Sequence, residues 1–559
     1  MQIKKVFSGV LAAVILFCGA VSAESINDII DNNVNRMKAM LNTPDFQVYY
    51  KAQGVTRAYY GAKFEPARGV YIGTPKGREI EGVSNAIDTY YITFDTSKTN
   101  SVTGRESYLQ KDRTGRLLAY NWNFAKQSIE PAEYDNYIKN TIDEIAASGD
   151  DVLLIFGKEM NTDDNFPNPE DFLRVYRYIA EYAKTKDNIA MVWAPNDTGS
   201  LDHYLKDFYP GDQYVDWVGM SLYTIPYFQG KRDHGNLTES NNIAFVTGEY
   251  ANSVMRAKTI MDFMDENNIQ KPVMITESGV GFQTTETGED FTDWGVMQLK
   301  LLYSELPRVF PRLKIIVGFN NTVEGDKYRY DIGNNPTLKA VLEEQIADPF
   351  FLGTYPSCAE YSYMPVEEGL QFAADTELSA FAYVPKQQYV RVKYLLDGTQ
   401  VYQNDYPPYT FKLGAMAEGT HTLTAQMCIG DSVQAEKQFT FQYTVPVTVL
   451  VNGEAVAFDQ PPVIVDGRTL VPVRAVFEAL GAKMEWDNES RTAAAVKDGI
   501  NVEIKIGESS FEKNGQQIPL DVPAQIIGDR TLVPLRAVAD AFACQVGWDG
   551  ETKTAMVNY

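Results

Sequence analysis

Eight short apolar runs punctuate the first two thirds of the chain: Gly69–Thr74, Tyr90–Phe94, Leu117–Trp122, Val152–Phe156, Ile189–Ala194, Val215–Tyr223, Pro272–Thr276 and Leu313–Phe319. Each is nearly continuous in Val, Ile, Leu or aromatic residues rather than alternating. That pattern belongs to strands buried on both faces of a parallel sheet. Helical periodicity fills several of the gaps. Tyr134, Tyr137, Ile138, Ile142 and Ile145 recur at three- and four-residue spacing, and so do Phe172, Val175, Tyr176 and Ile179. The second helix carries its own start signal: Asn168 as cap, Pro169 at the first position, then Glu170 and Asp171 against the positive end of the helix dipole. Eight strands with intervening helices predict a (β/α)8 (TIM) barrel. The alternative, a doubly wound open sheet, needs a glycine-rich phosphate loop after its first strand, and Gly69–Lys76 does not supply one.

The pattern changes after about residue 346. Tyr389–Leu396 alternates and ends in Asp397-Gly398, a hairpin signal, and Thr410–Leu413 and Thr420–Gln426 read as further strands. Residues 350–445 therefore predict a small all-β sandwich. Beyond it the chain repeats itself. The segment Arg468 to Val476 recurs from Arg530 to Val538, Asn452-Gly453 recurs as Asn514-Gly515, and Trp486-Asp487 as Trp548-Asp549, all at one offset of 62 positions. A single fixed offset means duplication. Each unit of residues 446–559 reads as strands, a short helix after the Leu-Val-Pro step, and a strand pair around Trp-Asp, an α+β repeat. Arg474 and Arg536 are expected to pair structurally within their own repeats.

At the other end, Lys4 and Lys5, an apolar run from Val6 to about Val21 and Val21-Ser22-Ala23 read as an export signal over residues 1–23. The expected mature protein is secreted, with no membrane span after cleavage. The 559 residues exceed one ordinary core and predict roughly three or four domains. The net charge of −24 disfavours nucleic acid and anionic membranes as partners. It suits a neutral substrate and equally suits simple solubility. Outside the leader stand Cys358, Cys428 and Cys544, which form no disulfide framework, although Cys358 and Cys428 are able to pair. The 3 histidines, His203, His234 and His421, are not at metal-ligand spacing. No metal and no cofactor are expected.

In a (β/α)8 barrel the chemistry sits at the C-terminal ends of the strands. The fourth run ends in Gly157-Lys158-Glu159-Met160-Asn161, and the seventh in Ile275-Thr276-Glu277-Ser278-Gly279. An idle carboxylate there is costly, because a half-buried charge needs partners. A lone glutamate at a strand end is more often a surface or capping residue. Two of them facing across one barrel mouth form the pair that glycoside cleavage requires. One protonates the leaving oxygen, and the other attacks the sugar or activates water. Trp122, Trp193 and Trp294 lie at or just beyond strand ends, and two of the three are expected to offer flat faces to sugar rings.

These segments carry a specific resemblance. Gly157 to Asn161, Val192-Trp193-Ala194-Pro195-Asn196, the run from Tyr209 to Gly219 that leads to Tyr223, and Ile275 to Gly279 resemble glycoside hydrolase family 26, a β-mannanase-like family of retaining (β/α)8 enzymes. The resemblance covers most of residues 150–325, within an expected catalytic domain of residues 24–345. It implies double displacement, with Glu159 as acid/base and Glu277 as nucleophile. Tyr223 would donate a hydrogen bond toward Glu277, and Lys158 and Asn161 would bind substrate. The implied activity is O-glycosyl hydrolysis of a β-linked polysaccharide, of the mannan endo-1,4-β-mannosidase type. Two positions depart from the family. Lys158 stands where a histidine is usual, and Thr162 to Phe166 lacks the usual tryptophan.

Residues 385–445 resemble a bacterial immunoglobulin-like domain. Residues 446–559 resemble two copies of the stalk domain named after the N-terminal part of copper amine oxidases. That name implies no copper here, since the region has no histidine. The repeats are candidates for contact with the cell wall or a glycan. The competing reading is a non-catalytic, glycan-binding or wall-associated protein on a degenerate barrel.

Overall fold

The computed structural model describes residues 25–97, 115–124, 129–162, 168–196, 203–225, 253–385, 387, 389–528, 530–550 and 552–559. The expected export signal and residues 163–166 of the departing run lie outside the described residues.

The chain divides into two compact units. In the first, eight parallel strands follow one another in sequence order: β1 (Val70–Pro75), β2 (Ile87–Thr93), β3 (Leu117–Asn123), β4 (Val152–Phe156), β5 (Ile189–Trp193), β6 (Trp217–Thr224), β7 (Val273–Val280) and β8 (Leu313–Gly318). β8 pairs with β1 through Ile315–Tyr71, Ile316–Ile72 and Val317–Gly73, which closes the barrel. Every residue of β1, β4, β5, β7 and β8 is buried, as the unbroken apolar runs require. Gly73 opposes Ile87 across the β1–β2 ladder, where a Cβ would collide with the Ile87 carbonyl. The helix Pro169–Ala183 starts as its sequence prescribes. The Asn168 side chain accepts from the Glu170 N–H at 2.9 Å, and Phe172, Val175, Tyr176 and Ile179 face the core.

The N-terminal end of the barrel is closed by the segment from Arg57 to Arg68. Trp217 Nε1–H donates to the Lys63 carbonyl at 2.8 Å. Lys63 Nζ donates to the Lys186 and Ile189 carbonyls at 2.8 and 2.9 Å. Lys314 Nζ reaches the Ala58 carbonyl at 2.7 Å. Burial pulls the Lys314 ammonium down to about 8, against the opposing pull of the Glu65 carboxylate. The sign follows from linkage. A folded-state value below the ordinary 10.5 contributes stability that is fully present above 10.5 and lost as pH falls through about 8. Relative to Lys314→Met, the wild type is therefore expected to gain about 2–3 kcal/mol between about pH 7 and pH 10. Urea unfolding of both proteins at the two pH values measures it.

The second unit holds two β-sheets whose aromatic residues meet. One runs in the order Tyr361–Pro365, Asp45–Gln53, Glu377–Tyr383, Phe411–Lys412, and the other contains Leu370–Phe372, Ser432–Tyr443, Gly419–Ile429, Arg391–Leu396 and Thr399–Asn404. Tyr394 stacks on Phe411 at 5.6 Å, and Tyr50 meets Phe372 at 5.3 Å, so residues of opposite sheets pack together. The Asp397-Gly398 hairpin forms with both residues in the left-handed region, φ 48 and 81.

Two boundaries differ from the sequence expectation. The strand Asp45–Gln53 precedes the barrel in sequence, yet pairs in the sandwich sheet. Its mixed burial, with Phe46, Val48, Tyr49 and Ala52 buried and the rest not, fits a sheet with one covered face rather than a barrel stave. Conversely, Phe351–Leu352 lies beyond residue 345 and adds to β1 in parallel. Cys358, Cys428 and Cys544 are all free.

The duplicated residues do not form two separate beads. The first repeat's strand Thr448–Val451 pairs with the second repeat's Thr554–Asn558. Between the repeats, the strand Ile500–Lys505 pairs with the first repeat's Thr492–Lys497 on one side and with the second repeat's Ser510–Lys513 on the other. The two Leu-Val-Pro strands meet antiparallel about Val471–Val533, equivalent residues 62 apart, so the halves are related by a local two-fold. One hydrophobic core spans both halves, from Val449 to Val557. Arg468 pairs with Asp521 and Arg530 with Asp459, both at 2.6 Å and both across repeats. This corrects the expectation for Arg474 and Arg536. Both are exposed, and no ion pair is formed by either among the described residues.

Candidate active site

β7 does not run straight through Thr276-Glu277-Ser278. Against β6, Met220 pairs with Ile275 but Ser221 pairs with Glu277, and against β8 the register slips between Ile316 and Gly318 as well. One extra residue is thus accommodated on β7 at Thr276–Glu277. Such a bulge bends a strand and re-aims its side chains. The hydroxyls on either side hold it in place: Thr276 Oγ1 donates to the Met220 carbonyl on β6 and Ser278 Oγ to the Val317 carbonyl on β8, both at 3.1 Å. The Thr-Glu-Ser order therefore has a mechanical meaning. Its flanks clamp neighbouring strands, and its centre is presented at the C-terminal end of the barrel.

Glu277 is 7% exposed, and both of its oxygens are occupied. Tyr91 at the end of β2 donates its hydroxyl to Oε1 at 2.9 Å. Lys158, just past β4, forms an ion pair with Oε2. Lys158 Nζ also lies 5.5 Å from the centre of the Tyr91 ring. Burial, then the Glu277 charge and the hydrogen bond to it, push the Tyr91 phenol far above its ordinary value, and the Glu159 charge adds to this. Tyr223 at the end of β6 is pushed up in the same way, by burial first and then by Glu277, with Glu159 contributing. For Lys158, burial pulls downward, but the Glu277 and Glu159 carboxylates outweigh it and its ammonium is held above the usual lysine range. Two carboxylates, two phenols and one ammonium thus act on one another at one end of the barrel.

Glu159 sits on a tight exit from β4. Gly157 and Glu159 both adopt left-handed conformations, φ 61 and 60. For a glutamate this costs about 1 kcal/mol or more, and such strain collects at functional sites. The Glu159 N–H continues the parallel ladder to the Ala194 carbonyl at 2.8 Å. Asn161 is spent on structure rather than on ligand. Its side chain exchanges two hydrogen bonds with the Asn196 backbone at 2.7 and 3.0 Å, which joins the ends of β4 and β5. Gly279 leaves room for Tyr223, whose ring carbons would lie 2.5 Å from a Cβ there. The Tyr223 ring is wedged between Tyr330 and Phe319 at 5.3 and 5.7 Å.

The three tryptophans proposed as sugar platforms are core residues. Trp122 is 1% exposed and packed against Phe94, Tyr137 and Phe156. Trp193 is fully buried against Tyr209 and Phe263. Trp294 is 5% exposed within the helix Thr292–Lys300. Each side chain is consumed by packing, so none offers a free face. The sequence reading missed Tyr91. Its signal was a phenol inside the apolar run Tyr90–Phe94, where a strand buried on both faces has no reason to carry a hydroxyl without a partner.

Residues 161–293 match the family described as glycosyl hydrolase family 26. Over that stretch the barrel is similar to glycoside hydrolase family 26. Residues 450–557 match a second family, described as copper amine oxidase N-terminal domain. Among curated proteins, a β-1,3-xylanase of Vibrio sp is 24% identical over 154 residues, 25% of this chain and 33% of that protein. A β-1,3-xylanase of Alcaligenes sp is 26% identical over 155 residues, 25% of this chain and 32% of that protein. The chain spans about a third of the length of these relatives. Among solved structures, a modular endo-β-1,4-mannanase from Cellulomonas fimi aligns at TM-score 0.37 and 15% identity, covering 70% of this chain and 100% of that one.

Proposed function

We propose that the barrel is a retaining glycoside hydrolase that cleaves a β-linked polysaccharide by double displacement. Glu277 is the nucleophile and Glu159 the acid/base. The observation that carries this reading is the Glu277 carboxylate, aimed by a strand bulge and gripped on its two oxygens by Tyr91 and Lys158. In the first step Glu159 protonates the glycosidic oxygen while Glu277 attacks the anomeric carbon, and the bond to the leaving sugar breaks. In the second, Glu159 takes a proton from water, which displaces Glu277. Tyr91 and Lys158 hold Glu277 in orientation in the free enzyme. Tyr223 supports it from β6. When the ester forms, Lys158 loses its counter-charge and turns to a hydroxyl of the bound sugar.

Mannan and β-1,3-xylan are the leading substrates, the first from the family resemblance and the second from what the two relatives are named for. The finer assignment, a mannan endo-1,4-β-mannosidase-type enzyme, belongs to this proposal, as does export of the chain through its apolar leader. Lys158 favours a second reading. An ion pair that already fills a glutamate oxygen also suits a barrel that binds glycans without cutting them. Reducing-end release from mannan, glucomannan, β-1,3-xylan and β-1,3-glucan separates the two. Cleavage of any of them supports the hydrolase, and binding without cleavage supports the alternative.

Two variants sharpen the roles. Glu159→Ala is expected to lower polysaccharide cleavage by about 100- to 10,000-fold. Aryl glycosides with good leaving groups should lose far less in the first step, since they need no proton. Tyr91→Phe is expected to lower kcat about 10- to 100-fold with KM little changed, because it removes one hydrogen bond to the nucleophile and no sugar contact. Steady-state kinetics on one defined oligosaccharide measures both.

A further inference from the structure

The C-terminal module carries an open groove of about 620 Å3 that the barrel chemistry does not use. Its wall draws on both repeats. Trp486, Arg474 and Glu478 come from the first, and Ile526 and Arg530 from the second. Asp459 holds Arg530 at 2.6 Å. The Trp486 indole N–H donates to Asn488 Oδ1 at 2.6 Å, which fixes the ring; the indole is partly buried against the module's core and also lines the groove. Arg474 and Glu478 stand one turn apart on the exposed side of the helix Val473–Ala479.

The duplication reproduces this constellation. Arg536, Asp540, Trp548, Ile464 and Arg468 occupy the equivalent positions in the other half, and Arg468 has its own aspartate, Asp521. Core packing explains why buried positions recur between two interleaved repeats. It does not explain these. Arg474, Arg536, Glu478 and Asp540 are exposed, Ile464 and Ile526 are 43% and 47% exposed, and Trp548 is 41% exposed. The two halves differ at Asn488, which is Gly550 in the second, so there the indole is freer.

We propose that each half of the module binds a segment of one neutral polysaccharide chain. An indole face matches the apolar C–H face of a pyranose ring, and the guanidinium and carboxylate beside it supply a donor and an acceptor for its hydroxyls. The charges select against other polymers. Each constellation combines two guanidinium groups with two carboxylates, a balanced set that gives an anionic chain no net attraction. The protein as a whole carries −24 and repels one. Two equivalent sites related by a two-fold suit a ligand that presents the same unit repeatedly, because the second contact is then intramolecular. The inference stands whether or not the barrel hydrolyses what the module holds.

The test uses the full chain carrying Glu277→Gln, so that bound polymer persists. Retention is measured on insoluble mannan, cellulose, β-1,3-xylan and β-1,3-glucan, with polygalacturonate as the anionic control. Retention on at least one neutral glycan is expected. Trp486→Ala alone should weaken it about tenfold. Trp486→Ala with Trp548→Ala should weaken it about a hundredfold, as both contacts of a bivalent site are lost. Arg474→Ala with Arg536→Ala replaces only exposed side chains, leaves the melting temperature unchanged and should still weaken retention about tenfold. Restored Glu277 in any of these backgrounds should cleave short oligosaccharides at the parent rate. Retention on no neutral glycan, retention on polygalacturonate alone, or retention unmoved by both double variants overturns the proposal.

Discussion

Glu277→Ala is expected to lower kcat on the cleavable β-glycan by about four to six orders of magnitude, because it removes the atom that forms the covalent bond. Misfolding is the competing explanation for such a loss, and the site says how to exclude it. Glu277 is the counter-charge of Lys158, and the side chains of both are only 9% exposed. Removing the carboxylate leaves a nearly buried ammonium unpaired, a change that costs about 3 kcal/mol or more in comparable sites. Glu277→Gln keeps an oxygen for Tyr91 and alters the shape little. Adding Lys158→Met to Glu277→Ala removes the stranded charge. The account predicts that this double variant regains thermal stability and regains no activity. Recovery of stability together with activity would place the nucleophile elsewhere.

The largest effect on stability is expected at Trp217. It is fully buried at the start of β6, and its indole N–H ties the Lys63 carbonyl under the barrel. Trp217→Ala removes the largest side chain from the closed end and leaves that carbonyl without its donor. Large-to-small changes of this kind cost about 3–5 kcal/mol. For a barrel of this size the melting temperature should fall by about 10 °C. Trp217→Phe, which fills most of the volume but donates nothing, should fall between the two. Calorimetry on the three proteins resolves the packing part from the hydrogen-bond part. Since Trp217 lies at the N-terminal end of its strand, KM on short substrates should not change at temperatures where the variant stays folded.

The barrel was legible because a parallel sheet with both faces covered writes itself as unbroken apolar runs. All eight runs became strands, most within a few residues of the expected bounds. Chain before Val70 was harder to place for a physical reason. The strand Asp45–Gln53 is only partly buried because it completes a sandwich sheet, so no unbroken apolar run exists there to find. The placement of Glu159 just past β4 and of Glu277 within β7 was legible from the apolar runs. Tyr91 was not, because a tyrosine inside such a run looks like packing until its hydroxyl is seen on Glu277. The tryptophans misled in the opposite direction. Nearness to a strand end does not say whether an indole faces the mouth or the surrounding helices, and Trp193 faces the helices through Phe263. For Lys158 the sequence showed only a departure from a family pattern. The structure shows the cation on Glu277 itself, which makes it part of how that carboxylate is held.

The central claim is that Glu277 forms a covalent bond to the sugar. A fluorinated, activated glycoside of the sugar released from the cleavable polysaccharide slows the second displacement more than the first, so the intermediate accumulates. Mass spectrometry of the digested protein should then find one glycosyl unit on the peptide that contains Thr276-Glu277-Ser278, and none after Glu277→Gln. Adduct on the peptide bearing Glu159, or turnover with inversion and no adduct at all, would contradict the account.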